Sequence, residues 1–389
     1  MSMANRDGAH PGARPPWDRD GAPGSGPVPD WWLYRCSPEP HDGIRRLPPA
    51  PPWRSFSGPS DPSGPSDLSA SAAASEAGEP SVPPLERDGH SQRGRDLRAV
   101  TYQADREEIH LVNMALMLRR PLLVTGRPGV GKSTLAYSIA RELRLGPVLR
   151  WPVTSRSTLQ DGQYHYDAIG RLQEVNLRER VAEKQKYATG SPVTVEPPDI
   201  GQYLRLGPLG TALLPWRTPR VLLIDEIDKS DVDFPNDLLH VFEEGEFTIP
   251  ELTRLSRPTA SVMTADDASV KLSRGRVRCH EFPLVIMTSN EEREFPPAFL
   301  RRCIRLEIRQ PDRAKLARLV AAHLPPGEGP PSVVREQLIT EFLRKQDDEG
   351  AELANDQLLN AVRVAQRIWN DPENRDLITD HLMRPLNEG

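Results

Sequence analysis

The run Gly126-Arg127-Pro128-Gly129-Val130-Gly131-Lys132-Ser133-Thr134 limits what this chain can fold into more than any other feature. Its first eight residues satisfy G-x-x-x-x-G-K-[ST], a pattern that works only where a buried strand ends and a helix begins. Both neighbours are present. PLLVTG (121–126) is a short apolar strand pattern, and GKSTLAYSIAREL (131–143) carries helical periodicity. In such a turn the glycines let backbone N–H groups curl around phosphate oxygens, and the helix N-terminus adds partial positive charge. Lys132 is placed to neutralise β- and γ-phosphates, and the Ser133 hydroxyl to ligate Mg2+. Residues 126–134 are therefore the expected nucleotide cradle.

Further apolar runs end in polar side chains. Val221-Leu-Leu-Ile-Asp225-Glu226 closes on two acids, of which Asp225 is expected to hold Mg2+ with Ser133 and Glu226 to activate water. The plainer reading is an acidic helix cap. Ile286-Met-Thr-Ser-Asn290 closes on an amide that can position water beside a γ-phosphate, or simply form a turn. Arg301-Arg302 ends the short helix pattern PPAFLRR ahead of the strand CIRLEI (303–308). A helix C-terminus favours cations; the sharper reading is an arginine finger. Together with PVLRWPV (147–153), these strands alternate with helices, which predicts an α/β fold with a parallel sheet covered on both faces.

Composition divides the chain. Residues 1–95 hold a disproportionate share of the 41 prolines and are rich in Gly, Ser and Ala, a mixture that buries too little apolar surface to offset its conformational entropy. They are read as a disordered tail, dispensable for turnover. Within it, residues 31–56 carry Trp31, Trp32, Tyr34, Trp53 and Phe56 among prolines. This island is expected to dock on a partner or on the protein's own folded part. The α/β domain is assigned to 96–310, with an irregular insertion at about 160–215 and a hairpin at about 250–281. Residues 311–389 turn all-helical, with Val334, Leu338 and Phe342 and then Leu358, Val362, Ala365 and Trp369 at helical spacing. Three isolated cysteines argue against a disulfide framework and a cysteine zinc site. A formal charge of −5 argues against a dedicated nucleic-acid binder. A polar start and the lack of an apolar run long enough for a membrane span lead to the expectation of a cytoplasmic protein.

The order of these motifs resembles the AAA+ ATPases. LLIDEIDKSDVDFPNDLLHVFEEGEF and MTSNEEREFPPAFLRRCIRLEI are similar to the MoxR branch, in its dynein-related subgroup. The resemblance spans about residues 100–370. It implies a P-loop αβα domain followed by a small helical lid, ATP and Mg2+ as cofactors, and a homo-oligomeric ring, usually a hexamer, that remodels protein partners. It assigns Arg302 to the finger position, with Arg301 as its neighbour. The 31–56 island is similar to tails of actinobacterial relatives encoded beside von Willebrand factor A partners in proposed anti-phage conflict systems. One departure stands out. Where the branch offers a basic lid residue, this chain has Glu352-Leu-Ala-Asn-Asp-Gln-Leu-Leu, which leaves Arg363 as a substitute or makes hydrolysis slow.

Two alternatives to a partner-remodelling ATPase follow. Lys271, Arg274, Arg276 and Arg278 form a basic run that would suit a nucleic-acid-acting ATPase or GTPase, against the plainer reading of a solvated strand face. The missing lid cation suits a nucleotide-locked scaffold with little turnover.

Overall fold

The computed structural model describes residues 28–56, 99–189, 197–324, 329–348, 352–369, 375 and 377–384. Helix α1 (Arg106–Leu118) leads into β1 (Leu122–Thr125), the glycine-rich loop and α2 (Lys132–Glu142). After β2 (Leu149–Pro152) the chain makes α3 (Leu159–Gln163), β3 (Tyr164–Tyr166), α4 (Ala168–Thr189), β4 (Leu204–Leu206) and α5 (Pro208–Ala212) before returning as β5 (Val221–Asp225). A second excursion contains α6 (Phe234–Glu244), β6 (Glu246–Thr248), α7 (Pro250–Thr253), β7 (Thr259–Met263), β8 (Ser269–Ser273) and β9 (Arg276–Arg278), and ends at β10 (Leu284–Ser289). Helix α8 (Pro297–Leu300) and β11 (Ile304–Glu307) complete the α/β part. Helices α9 (Arg313–His323), α10 (Ser332–Asp348) and α11 (Asn355–Ile368) follow.

The main sheet has the order β11-β1-β10-β5-β2, and every neighbouring pair is parallel. The central strands β1, β10 and β5 read as apolar runs because both their faces are covered, whereas the edge strands β2 and β11 alternate buried with exposed residues. Leu122, Val124, Val221, Leu223, Leu284 and Ile286 pack with α1 and α2. Leu123, Leu222, Ile224, Val285 and Met287 pack on the opposite face with α5 and α6. Helices α9–α11 share a core of their own built on Leu316, Leu338, Phe342, Leu358 and Val362.

A second sheet, β3-β4-β7-β8, joins the two excursions. β7 and β8 form an antiparallel hairpin, while β4 meets β7 in parallel at Arg205 and Met263. Buried Arg220, immediately before β5, donates to Asp266 Oδ2 at 2.9 Å and so ties the hairpin turn to the entry of that strand. β9 pairs instead with β6.

Residues 28–56 are built into the domain. Trp32, Leu33, Tyr34 and Ile44 are buried in the α1/α2 core, and Phe56 in the core of the opposite face. Asn113 of α1 fixes the backbone: its Oδ1 accepts the Leu33 and Tyr34 N–H groups at 2.7 and 3.0 Å, and its Nδ2 donates to Tyr34 O at 2.7 Å. The buried Glu142 carboxylate of α2 accepts the N–H groups of Arg35 and Ser37, both at 2.7 Å, and meets His41 Nε2 at 3.0 Å. Tyr34 Oη lies 2.9 Å from Ser138 Oγ. Farther on, Arg54 donates to the carbonyls of Arg119 and Phe242, and Phe56 stacks on Phe282. Of the two docking surfaces open to this island from its sequence, it occupies the protein's own. The remainder of the expected tail, residues 1–27 and 57–95, lies outside the described residues.

Candidate nucleotide site

The C-terminal ends of β1, β10 and β5 are adjacent in the sheet, and that adjacency assembles the site. Gly126 adopts φ +142 where the loop leaves β1, and a Cβ there would collide with the carbonyl of Ile308. Glycine is required by space as well as by backbone angle. Lys132, the first residue of α2, is buried and turns its ammonium back into the loop. Nζ donates to Gly126 O at 2.6 Å, to Arg127 O at 2.9 Å and to Asn290 Oδ1 at 2.7 Å. Burial lowers the Lys132 pKa from its ordinary value, opposed by the charges of Asp228, Asp225, Glu226 and Glu291. Ser133 Oγ donates to Asp225 Oδ1 at 2.7 Å. The structure thus pairs Lys132 with Asn290 and Ser133 with Asp225.

Asp225 is the hub. Its Oδ1 also accepts the Thr288 hydroxyl at 2.8 Å, while Oδ2 accepts Arg150 Nη2 at 2.7 Å and Nε at 3.2 Å. Burial alone would raise this carboxyl; the hydrogen bonds from Ser133, Arg150 and Thr288 outweigh it and hold the pKa below the ordinary value. Glu226 follows in the left-handed region at φ +61, with its N–H held by Thr288 Oγ1 at 2.9 Å. Its half-exposed carboxylate does not bond the loop but meets Lys229 Nζ at 3.0 Å. Buried Asp228 accepts the backbone N–H of Asn290 at 2.8 Å through Oδ2, and its Oδ1 is buried with no partner among the described residues. Thr288, Asp228 and Arg150 were not singled out from the sequence. Thr288 and Asp228 sit inside motifs already read, and Arg150 is the one charge in an otherwise apolar strand.

Arg301 and Arg302 lie at the other end of the sheet. Ile304 pairs with Leu122, at the start of β1, whereas the glycine-rich loop follows its end. At about 3.3 Å per residue that is a separation of about 15 Å along the strands. Arg302 is ion-paired with Glu243 and donates to Ala298 O at 3.1 Å, while Arg301 is exposed.

Helix α11 meets the carbonyls of the glycine-rich loop. Asn355 N–H donates to Gly129 O at 3.2 Å and Asn355 Nδ2 to Val130 O at 3.4 Å. Gly129 has φ +76, and a Cβ there would collide with Ala354. Arg363 is eight residues along α11 from this contact, about 12 Å at 1.5 Å per residue. At the lid base, Lys315 Nζ donates to Asp105 Oδ2 and Glu108 Oε1, both at 2.6 Å, tying α9 to the start of α1.

Residues 121–303 match the family model of the AAA domain, dynein-related subfamily. This segment is an AAA domain. As such it is a nucleotide-binding ATPase module, and α9–α11 are further helices placed after it. No curated protein matches the chain. The AAA domain's donor set fits a magnesium nucleotide: a loop whose close approaches demand glycine, a lysine at its end, and a hydroxyl–carboxylate pair of hard oxygen ligands. No helix among the described residues is long and apolar enough to cross a membrane.

Proposed function

We propose that the protein is an AAA+ ATPase of the MoxR branch that binds and hydrolyses Mg-ATP, works as a homo-oligomeric ring, and switches or remodels protein partners. The observation that carries this reading is the pairing of Lys132 with Asn290 and of Ser133 with Asp225 at three adjacent strand ends. Gly126–Thr134 would hold the phosphates, with Ser133 and Asp225 holding Mg2+, which supplies neutralisation of phosphate charge when bound. Lys132 exchanges its two loop carbonyls for phosphate oxygens. Asn290, fixed by Asp228, holds the water-side amide in place. Glu226 takes the proton of the attacking water once it leaves Lys229. Arg302 or Arg301 stabilises charge in a neighbouring subunit's site, since strand register sets both far from their own loop.

Protein partners are favoured over nucleic acid by two surfaces. Two of the four cations of the basic run, Arg276 and Arg278, are engaged by a single carboxylate, Glu246, which offsets part of the run's charge. Helix α4 exposes Ile169, Leu172, Leu177 and Val181. The resemblance supplies the partner class to try first, a von Willebrand factor A domain protein in a conflict system, and the ring size, a hexamer. The nucleotide-locked scaffold keeps one observation in its favour, the Glu226–Lys229 pair.

The test compares binding of a fluorescent ATP analogue with phosphate release. Lys132→Ala should lose binding, while Glu226→Gln should bind and fail to release phosphate. Equal turnover by the parent and Glu226→Gln proteins would sink the hydrolytic assignment. Negligible release by the parent protein, with binding intact and the candidate partner present, would establish the scaffold reading.

A further inference from the structure

Arg150 occupies a position that the proposed nucleotide chemistry does not require. In β2 the side chains alternate: Leu149 and Trp151 are buried, and Arg150 and Pro152 face outward. The strand pairs with β5 so that Pro152 lies opposite Asp225, which brings the Arg150 side chain alongside the Asp225 carboxylate. Nε and Nη2 engage a single oxygen, Oδ2, at 3.2 and 2.7 Å. The other oxygen is filled by the hydroxyls of Ser133 and Thr288. A buried carboxylate beside the loop serine therefore carries a permanent counter-charge, because a guanidinium does not deprotonate in a protein.

A structural strut between an edge strand and its neighbour could be built from any neutral donor. A full positive charge on this carboxylate has a further consequence. A divalent cation brought to Ser133 and Asp225 meets a like charge already seated there, and the attraction of Asp225 for the cation is reduced. Nucleotide phosphates change the balance, since they offer the guanidinium new acceptors and add negative charge at the same place.

We propose that Arg150 is the resident counter-ion of Asp225 and competes with Mg2+ for it, so that the divalent cation is seated only together with nucleotide. Arg150 is a positioning residue here, acting through Asp225. The inference rests on the reading of this site as a magnesium-nucleotide site, and it adds a residue that sets the order and strength of cation loading.

The test uses the full chain and needs no turnover. Binding of a fluorescent, non-hydrolysable ATP analogue is titrated with Mg2+ for the parent, Arg150→Gln and Arg150→Lys proteins. Mn2+ uptake without nucleotide is followed by electron paramagnetic resonance. Arg150→Gln should lower the half-saturating Mg2+ concentration at least tenfold, which corresponds to about 1.4 kcal/mol. It should also take up Mn2+ without nucleotide at concentrations where the parent does not. Arg150→Lys keeps the charge but not the fork and should fall between them; it carries the test alone if Arg150→Gln does not fold. An unchanged or raised Mg2+ midpoint in the variants, with analogue binding intact, overturns the inference and leaves Arg150 a strut. Failure of the parent to bind the analogue at any Mg2+ concentration overturns the nucleotide site itself, and the inference with it.

Discussion

Tyr34 decides whether the aromatic island is a docking motif carried on a tail or part of the domain. Its side chain is fully buried between α1 and α2, and its hydroxyl meets Ser138 on the helix that begins with Lys132. Truncating a buried aromatic ring to alanine costs about 3–5 kcal/mol, counting lost transfer energy and the cavity left behind. The broken hydroxyl contact adds about 1 kcal/mol. A loss of about 5 kcal/mol is a large part of the roughly 5–15 kcal/mol that holds a domain together. At about 2–4 °C per kcal/mol for a domain of this size, Tyr34→Ala should lower Tm by about 10–20 °C. Tyr34→Phe removes only the hydroxyl contact and should lower it by about 2–4 °C. Differential scanning fluorimetry of the full chain without partners, checked by circular dichroism, measures both. A fall of less than about 3 °C for Tyr34→Ala would refute the packing argument and return residues 31–56 to the role of a separable motif.

Three further outcomes are expected. Mixing Arg302→Ala protein with Lys132→Ala protein should restore part of the phosphate release that each lacks, and the same mixture with Arg301→Ala shows which arginine is the finger; no recovery in rings shown to be mixed excludes a shared site. Gly129→Ala meets Ala354 and adopts φ +76 at a cost of roughly 1–2 kcal/mol, so analogue affinity should fall about tenfold in a binding titration, whereas an unchanged affinity would mean that the lid contact is not made in solution. Burial pushes the thiols of Cys279 and Cys303 up to about 12, so iodoacetamide at pH 8 should leave both unmodified in native protein and modify them after denaturation, as read by mass spectrometry.

The main sheet and the cradle were legible because their determinants are local. An apolar run ending in glycines, Lys132 and Ser133 needs nothing distant to be interpreted, and the runs ending in Asp225 and Asn290 then have one sensible place to go. Arg150 was visible as a charge in a strand, but only the β2–β5 register shows which carboxylate it reaches. The Gly129–Ala354 contact joins residues far apart in sequence and leaves no local pattern. Residues 31–56 were obscured for a different reason. Proline-rich composition measures what a segment can bury against itself, whereas this one buries Trp32, Tyr34 and Phe56 against other parts of the chain and leaves Trp31 and Trp53 exposed. The aromatic residues were the readable signal, and the surface they fit was not. Arg302 was read as the finger from its place before β11, yet the structure ties it to Glu243 and leaves Arg301 exposed, a distinction no spacing argument makes.

The second sheet has a consequence for how such a chain can be altered. Its strands come from two separate excursions, one on either side of β5, and the β4–β7 pair stitches them together. Neither excursion is a detachable module. Exchanging the 160–215 segment alone for that of a relative would put the β4–β7 pairing at risk and could leave one edge of β7 unpaired, an invitation to aggregation. Chimaeras that exchange both segments together should stay soluble where single exchanges do not. Sequence drift in one segment is likewise constrained by the other, although the strand between them carries the acids of the nucleotide site and belongs to neither.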